Sequence, residues 1–240
     1  MPVKSYQSIP IADCAEPLVV IPPQPFAFTT PHPYVVLGAP YAGMSPWMLR
    51  RGVLDALLQA HGLLAARRLG WRLKLFDAWR PVAVQAFMVW REFGLQAETA
   101  GRSLAGCHNP AELEARDPAL YATLAKTVFM FWSMPSDDPL TPPPHSTGAA
   151  LDLTLEDAAG REVDMGCPID EMTERAFPDH YAGSTEPQLR GFHENRMLLN
   201  EVMNAAGFSR HGNEWWHFSL GDQMWARAHG ATQAIYGRVE

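Results

Sequence analysis

Hydrophobic residues recur at helical spacing in several segments of the chain. Residues 46–69 carry a broad apolar stripe with a period near 3.6, with Ser45 as a cap, Pro46 in the first turn and Gly70 at the end. The same spacing predicts helix at three later places, namely 82–94, part of 111–131, and 189–207, where Gly207 is the stop.

Alternation of apolar and polar residues predicts three strands, at 71–79, 150–155 and 214–220. In the second of these, Leu151, Leu153 and Leu155 share one face, whereas Asp152 lies on the other. Helical and strand patterns alternate loosely and end with hairpin-like spacing. We therefore predict a single α+β domain in which helices flank a small, mainly antiparallel sheet.

Prolines are concentrated at the start of the chain, with eight between positions 2 and 33. Proline lacks an amide donor and fixes φ, so residues 1–33 are predicted to form an extended arm without regular structure. The domain itself is then expected to span residues 34–240.

Composition excludes several classes of partner. The chain has 240 residues, 47% of them hydrophobic and 19% charged, as is ordinary for a globular protein. The formal net charge is -7 and no run of Lys or Arg is long enough to follow a phosphate backbone, so we expect no nucleic-acid partner. Apolar runs are short and broken by proline and charge, so we expect no membrane span, no signal peptide and a cytoplasmic location.

Two segments together suggest a metal site. His145 follows a run of prolines, Asp152 lies on the polar face of the next predicted strand, and His217 ends a Glu-Trp-Trp-His segment. Two imidazoles and one carboxylate leave a fourth zinc position for water, as in catalytic zinc sites. Taken singly, each segment fits another interpretation better: the first an exposed strand Asp beside a loop His, the second an aromatic core strand with a hydrogen-bonded His.

Two further residues suit hydrolysis. Zinc lowers the pKa of bound water to about 7, and Glu214 is placed to take the proton and pass it to a leaving amine. Arg80 lies in the segment Asp-Ala-Trp-Arg-Pro at a predicted strand end, where its guanidinium would stabilise a negatively charged carbonyl oxygen. Asp77 would hold Arg80 in place; the alternative is an ordinary surface ion pair.

These segments, in this order, resemble motifs of the VanX-type zinc D-Ala-D-Ala dipeptidases, a branch of the D-Ala-D-Ala carboxypeptidase/dipeptidase metallopeptidases. The family motifs D-x-[YW]-R-P, S-x-H-x-x-G-x-A-x-D and E-W-W-H are matched here at 77–81, 143–152 and 214–217. Between them, residues 163–170 resemble the family segment M-G-[ST]-x-F-D. The similarity runs from about residue 34 to residue 225.

The resemblance implies a single zinc ion held by His145, Asp152 and His217, with Glu214 as the catalytic base and Arg80 as the residue that stabilises the intermediate. These five residues carry the implied chemistry of a zinc peptidase domain.

The resemblance also implies substrate contacts. Asp170 matches an acidic residue that meets the free amino group of the substrate, and Tyr34 matches a tyrosine near that amine. Ser146, inside the histidine motif, is a further candidate for substrate binding. Pro143 and Cys167 depart from the family pattern, which has Ser, and Ser or Thr, at these positions; both lie where substrate shape would be read.

The expected function is zinc-dependent hydrolysis of D-Ala-D-Ala or a similar D,D-dipeptide to free amino acids. One alternative is a D,D- or L,D-carboxypeptidase or endopeptidase that acts on peptidoglycan stem peptides. Another is a zinc-bearing binding module without catalysis. The remaining histidines, including His32 and His211, lack ligand spacing and are expected to be structural, although His211 is close enough in sequence to Glu214 to line the same cleft.

Overall fold

The computed structural model describes residues 4–239. Its helices are α1 Pro33–Val36, α2 Arg51–Arg67, α3 Val82–Thr99, α4 Pro110–Arg116, α5 Pro118–Phe131, α6 Pro187–Ala205 and α7 Gln223–His229. Its strands are β1 Leu18–Val20, β2 Ala27–Phe28, β3 Met48–Arg50, β4 Arg72–Asp77, β5 Ala150–Glu156, β6 Ser209–Arg210 and β7 His217–Ser219. Short 3-10 turns occupy Ser5–Ser8, Pro144–Thr147 and Glu174–Ala176.

The main sheet has the strand order β2-β4-β5-β7-β6 over residues 4–239. Strand β2 runs parallel to β4, and every other neighbouring pair in this sheet is antiparallel. Strands β1 and β3 form a separate antiparallel pair. The prediction of one α+β domain around a small, mainly antiparallel sheet is therefore confirmed.

Strand β5 lies at the centre of the sheet and is buried on both faces along its whole length. The three leucines of its apolar face are fully buried in the core. Asp152, on the opposite face, is only 2% exposed. A buried carboxylate is stable only with hydrogen-bond or charge partners, so the alternative of an exposed strand Asp is wrong, and the polar face of β5 belongs to a site.

Helix α2 begins later than its apolar pattern predicts. Residues Met48–Arg50 are extended and pair with β1, so the backbone groups that a helix start at residue 46 would use are bonded to another strand. Ser45 does not cap the helix; its hydroxyl accepts a hydrogen bond from the amide of Trp47 at 3.1 Å. The partner strand comes from a distant part of the chain, which a local pattern does not reveal.

Three other boundaries differ from prediction. Helix α3 continues beyond residue 94 to Thr99, because a single glycine is tolerated within a helix and most of the residues after it favour helix. The segment 111–131 contains two helices that divide before Pro118, where the Asp117 side chain caps α5. Strand β7 is shorter than 214–220, because the chain bends at Trp215 and Trp216 before pairing begins.

The first part of the chain is more regular than expected. The prediction of residues 1–33 as an arm without regular structure is wrong at β1 and β2, and β2 is the edge strand of the main sheet. Residues 1–3 lie outside the described chain. The division into an arm of residues 1–33 and a domain of residues 34–240 stays a prediction.

Arg50 fixes the arm to the rest of the fold. Its side chain is 5% exposed, and its Nε donates to the carbonyl of Thr147 at 2.9 Å. Its Nη2 donates to the Asp13 carboxylate at 2.8 Å and to the carbonyl of Gly237 at 3.0 Å. One guanidinium thus joins the arm, the end of the chain and the turn that carries His145.

Removing a core side chain should destabilise the fold much more than removing an exposed one. Leu73 in β4 is 0% exposed, whereas Leu69 is 92% exposed. We expect Leu73→Ala to lower the free energy of unfolding by about 2–5 kcal/mol through lost burial and a residual cavity. Leu69→Ala should change it by less than about 0.5 kcal/mol. Urea unfolding of both variants measures the difference, and equal midpoints would contradict the assigned core.

Candidate active site

The turn before β5 fixes the orientation of His145. Residues Pro144–Thr147 form one 3-10 turn, which ends at Gly148 with a φ of 70° in the left-handed region. Glycine adopts this φ without strain, and a Cβ atom at Gly148 would also overlap the tip of the Leu18 side chain. The chain therefore turns sharply from His145 into the strand that carries Asp152.

The proton on the His145 ring is located by its partner. Nδ1 of His145 lies 2.7 Å from the carbonyl of Ala78, and a carbonyl oxygen accepts only, so this nitrogen donates. The other ring nitrogen, Nε2, then carries a lone pair that faces the cavity. A backbone carbonyl that holds the far nitrogen of a histidine is the usual support of a metal ligand.

Three donor atoms converge at the ends of β5 and β7. Nε2 of His145 lies 3.1 Å from Nδ1 of His217 and 3.3 Å from Oδ2 of Asp152. Nδ1 of His217 lies 3.0 Å from Oδ1 of Asp152, which it faces because the two residues are paired in the antiparallel register. All three side chains are buried, and their ligand atoms lie within 4.8 Å of one another.

This donor set fits a divalent metal ion. Zinc bonds of about 2.0–2.1 Å in tetrahedral geometry separate neighbouring ligand atoms by about 3.3 Å, close to the distances among these three residues. A lone pair on His145 and an anionic oxygen of Asp152 repel each other unless a cation lies between them. Nε2 of His217 is buried without a hydrogen-bond partner among residues 4–239, and the polar contacts of this ring are made by Nδ1, toward His145 and Asp152.

The protonation states also suit a metal. Burial lowers the pKa of His217, which keeps its imidazole neutral and able to donate a lone pair. Burial alone would raise the pKa of Asp152, but His145 and His217 lower it below its usual value, so the carboxylate is ionised. Neutral imidazole and ionised carboxylate are the forms that bind a metal.

Glu214 lies beside these ligands. Its side chain is 8% exposed, and its Oε2 is 3.8 Å from Nδ1 of His217 and 3.6 Å from Nδ1 of His211. Burial raises the pKa of Glu214 well above its ordinary value, and the negative charges of Asp152 and Asp170 add to that shift. A carboxylate with a raised pKa holds a proton more readily, which a base that must later act as an acid requires.

Arg80 and Asp77 form a buried pair. Nε and Nη2 of Arg80 donate to Oδ2 of Asp77 at 3.0 and 2.7 Å, and Nη2 also reaches Oδ2 of Asp152 at 3.4 Å. Arg80 is 4% exposed and Asp77 is 0% exposed, so the alternative of a surface ion pair is wrong. Nη1 of Arg80 donates to Oε1 of Gln85 at 2.7 Å, which turns the guanidinium edge toward the cavity.

Asp170 lines the same cavity in a constrained conformation. Its φ is 68°, which is uncommon for a residue with a side chain, and its Oδ2 accepts a hydrogen bond of 2.8 Å from the hydroxyl of Tyr34. Burial raises the pKa of Asp170 to about 7, with a further contribution from Asp152. Tyr34 is 1% exposed and lies behind Asp170 and Arg80, so it contacts these residues and does not line the cavity.

Ser146 is not brought into the cavity. Its hydroxyl donates to the carbonyl of Pro143 at 2.7 Å within the 3-10 turn, and the side chain is 1% exposed. The prediction of a substrate contact for Ser146 is therefore corrected: the tight turn that orients His145 directs the next side chain back onto the turn itself.

Two residues expected to be merely structural take part in the site. His211 lines the cavity with Glu214 and His217. His32 accepts the amide of Tyr34 at Nδ1, so its Nε2 donates to Oδ1 of Asp77 at 3.0 Å and completes the support of Arg80. No spacing rule marks His32, because its partner Asp77 lies far along the chain, at the end of β4.

Comparison with known proteins agrees with this arrangement. A sequence model of the Peptidase_M15 family, described as D-ala-D-ala dipeptidase, matches residues 27–235. The chain belongs to this peptidase family. The family match spans every residue placed around the cavity above, and the resemblance seen in the motifs is thereby confirmed.

Curated members of the family are similar over most of their length. A D-alanyl-D-alanine dipeptidase of Synechocystis sp. is 44% identical over an alignment of 260 residues, which covers 100% of this chain and 98% of that protein. A D-alanyl-D-alanine dipeptidase of Enterococcus faecium is 31% identical over 181 residues, with 73% of this chain and 74% of that protein covered. The chain is therefore a peptidase, and the alternative of a module without catalysis is not supported.

Among solved structures, the LdcB LD-carboxypeptidase is similar over 90% of this chain and 76% of its own, with 14% identity and a TM-score of 0.45. So distant a match does not bear on the reaction. Separately, no helix within residues 4–239 combines the length and apolar character needed to cross a membrane.

Loss of one candidate ligand should weaken metal binding. His217 faces two other donors in the cavity, whereas His108 is exposed outside it. Removal of a residue that merely supports a ligand costs about 10- to 100-fold in metal affinity, so we expect His217→Ala to cost more than that. His108→Ala is the matched control. Competition with a chromophoric chelator for Zn²⁺ measures both affinities, and equal values would exclude His217 as a ligand.

Proposed function

We propose that this protein is a zinc-dependent dipeptidase that hydrolyses D-Ala-D-Ala or a similar D,D-dipeptide to free amino acids. The observation that supports it most directly is the buried group of His145, Asp152 and His217 with the Glu214 carboxylate beside it. Family membership and the curated dipeptidases similar to the chain support the same reaction.

The proposed cofactor is one Zn²⁺ ion bound by His145, Asp152 and His217. When bound, zinc polarises the scissile carbonyl and lowers the pKa of a water molecule to about 7. Two nitrogens and one oxygen are a common protein donor set for zinc, with a fourth position left for water or substrate.

The chain itself supplies the proton transfers. Glu214 takes a proton from the attacking water and passes it to the amide nitrogen of the leaving residue, because its carboxylate lies beside the three candidate ligands. The guanidinium of Arg80 donates to the carbonyl oxygen as negative charge develops there. Asp77, His32 and Gln85 hold the guanidinium at fixed positions, so no reorganisation is needed during the reaction.

Asp170 would distinguish a dipeptide from a longer peptide by binding its free amino group. A free amino group is a cation, and an ionised carboxylate in a partly desolvated cavity binds it strongly. An acylated amine carries no charge and would not pair with this carboxylate, so an acylated dipeptide or a longer chain would bind more weakly. This feature favours a dipeptidase over the alternative of a carboxypeptidase or endopeptidase acting on peptidoglycan stem peptides.

We also propose that the protein acts in the cytoplasm on a small dipeptide substrate. Cys14, Cys107 and Cys167 are free thiols, and Cys14 is exposed, which suits a reducing compartment. Cell fractionation with an antibody to the protein tests the location.

Glu214→Gln should lower kcat for D-Ala-D-Ala by about 100- to 10,000-fold, because an amide does not accept the proton from water. The bound metal should remain, since Glu214 is not one of the three ligand residues. The measurement is release of free D-Ala by protein with one equivalent of zinc, together with its metal content. The matched control is Glu194→Gln, a 69% exposed surface carboxylate. Retained activity in Glu214→Gln would remove the proposed base.

Asp170→Asn should raise KM for D-Ala-D-Ala by about 10- to 100-fold, the value of a charged hydrogen bond to the amine. In the wild type, kcat/KM should rise as the pH passes about 7, because the Asp170 carboxyl then loses its proton and can pair with an ammonium. This limb of the pH profile should be absent from Asp170→Asn. Asp137→Asn, at a carboxylate that is 96% exposed, serves as the control.

The N-acetylated dipeptide separates the two enzymatic alternatives. A dipeptidase that needs the free amine should hydrolyse N-acetyl-D-Ala-D-Ala poorly, and Asp170→Asn should reduce that preference. Efficient hydrolysis of the acetylated substrate by the wild type would instead favour the stem-peptide carboxypeptidase.

A further inference from the structure

We propose that Lys4, in the N-terminal arm, binds the free carboxylate of the C-terminal residue of the dipeptide. Lys4 would thus be a specificity-determining residue for the carboxylate of the substrate. This inference rests on the proposed dipeptidase function and adds the partner of the second charged end of the substrate.

The arm brings Lys4 to the rim of the cavity. Nζ of Lys4 donates to the carbonyl of Trp132 at 3.4 Å, and the hydroxyl of Tyr6 lies 3.4 Å from Oγ of Ser133. Trp132 and Ser133 both line the cavity that holds Glu214 and the three candidate ligands. The amide of Lys4 donates to Oε1 of Gln7 at 2.9 Å, which starts the short 3-10 turn and fixes the backbone.

A buried glutamine anchors this part of the arm. Gln223 is 3% exposed, and its Nε2 donates to the carbonyls of Ile9 at 2.7 Å and Gln7 at 3.2 Å. The next residue, Met224, lines the cavity. The same helix, α7, therefore contacts the active site and holds the turn that presents Lys4, so the position of the ammonium is set by the fold.

The ammonium of Lys4 has no counter-ion. Within residues 4–239, no carboxylate oxygen lies within 4.0 Å of its Nζ, and its one hydrogen-bond acceptor is a neutral carbonyl. Burial lowers the pKa of Lys4, while the charge of Glu214 raises it. A partly desolvated cation without a partner is a favourable place for an anion, since the desolvation has already occurred.

The other cation of the cavity is already engaged. Arg80 donates from Nε and Nη2 to Asp77 and from Nη1 to Gln85, and its Nη2 also contacts Asp152. In the proposed reaction, the guanidinium hydrogens that these residues leave free donate to the oxygen of the scissile carbonyl. A free dipeptide also carries a C-terminal carboxylate, and that group needs a positive partner of its own.

The contacts of the two charged residues differ. Asp170 accepts a hydrogen bond from the hydroxyl of Tyr34 at 2.8 Å, whereas Nζ of Lys4 lies 3.4 Å from the carbonyl of Trp132. A zwitterionic dipeptide would therefore find an anion for its amine at Asp170 and a cation for its carboxylate at Lys4.

The test compares D-Ala-D-Ala with its C-terminal amide, which keeps the amine and the scissile bond but lacks the carboxylate. In the wild type, we expect the amide to have a kcat/KM about 10- to 100-fold lower, mostly through KM. Lys4→Met keeps the apolar stem without the charge, so it should lose the same factor on the dipeptide and almost nothing on the amide. Lys4→Arg should restore most of the preference, and Lys126→Met, at an exposed lysine, should match the wild type.

Each outcome decides a different question. If the wild type hydrolyses both substrates equally well, the carboxylate is not recognised and the role of Lys4 is overturned. If Lys4→Met loses equal activity on both substrates and shifts the pH profile of kcat, Lys4 acts on Glu214 instead, which also overturns it. If the wild type hydrolyses neither substrate, the proposed function fails, and the inference about Lys4 fails with it.

Discussion

The antiparallel pairing of β5 with β7 is the constraint on which the site depends. It sets Asp152 directly opposite His217, and the turn before β5 places His145 over the same point. A slip of one residue in this register would turn Asp152 toward the apolar core and bring a leucine to the cavity. The fully buried leucines on the other face of β5 prevent that slip, so hydrophobic packing holds the donor atoms in place.

Charge balance explains why the site tolerates so many buried carboxylates. Asp77, Asp152 and Glu214 are all buried, and the guanidinium of Arg80 contacts the first two of them. Buried ions are costly unless each is paired, and the guanidinium of Arg80 is shared between Asp77 and Asp152. A divalent cation between the ligands would supply the missing positive charge, so metal binding and the stability of this region are expected to be linked.

The sequence predicted the local parts of this arrangement well. The alternation of ALDLTL identified the face that carries Asp152, and the aromatic segment before residue 217 marked the partner strand. Contacts between distant parts of the chain were missed. Strand β3 forms because β1 lies beside it, and Lys4 and His32 gain their positions from partners far along the chain. A pattern read within one segment contains no information on such pairings. The substrate contact predicted for Ser146 is absent for a different reason. A motif identifies a residue but does not give the direction of its side chain within a tight turn.

Both ends of the described chain lie close to the catalytic turn. The amide of Val239 donates to the carbonyl of Ser146 at 2.9 Å, next to His145, while Lys4 rests on the wall of the cavity. Arg50 ties the two ends together through Asp13 and Gly237. The described chain therefore begins, at Lys4, against the cavity wall and ends, at Val239, against the catalytic turn. Purification tags and fusion partners at either end of this protein are potential inhibitors in their own right, and kinetic work on it calls for cleaved, tag-free material.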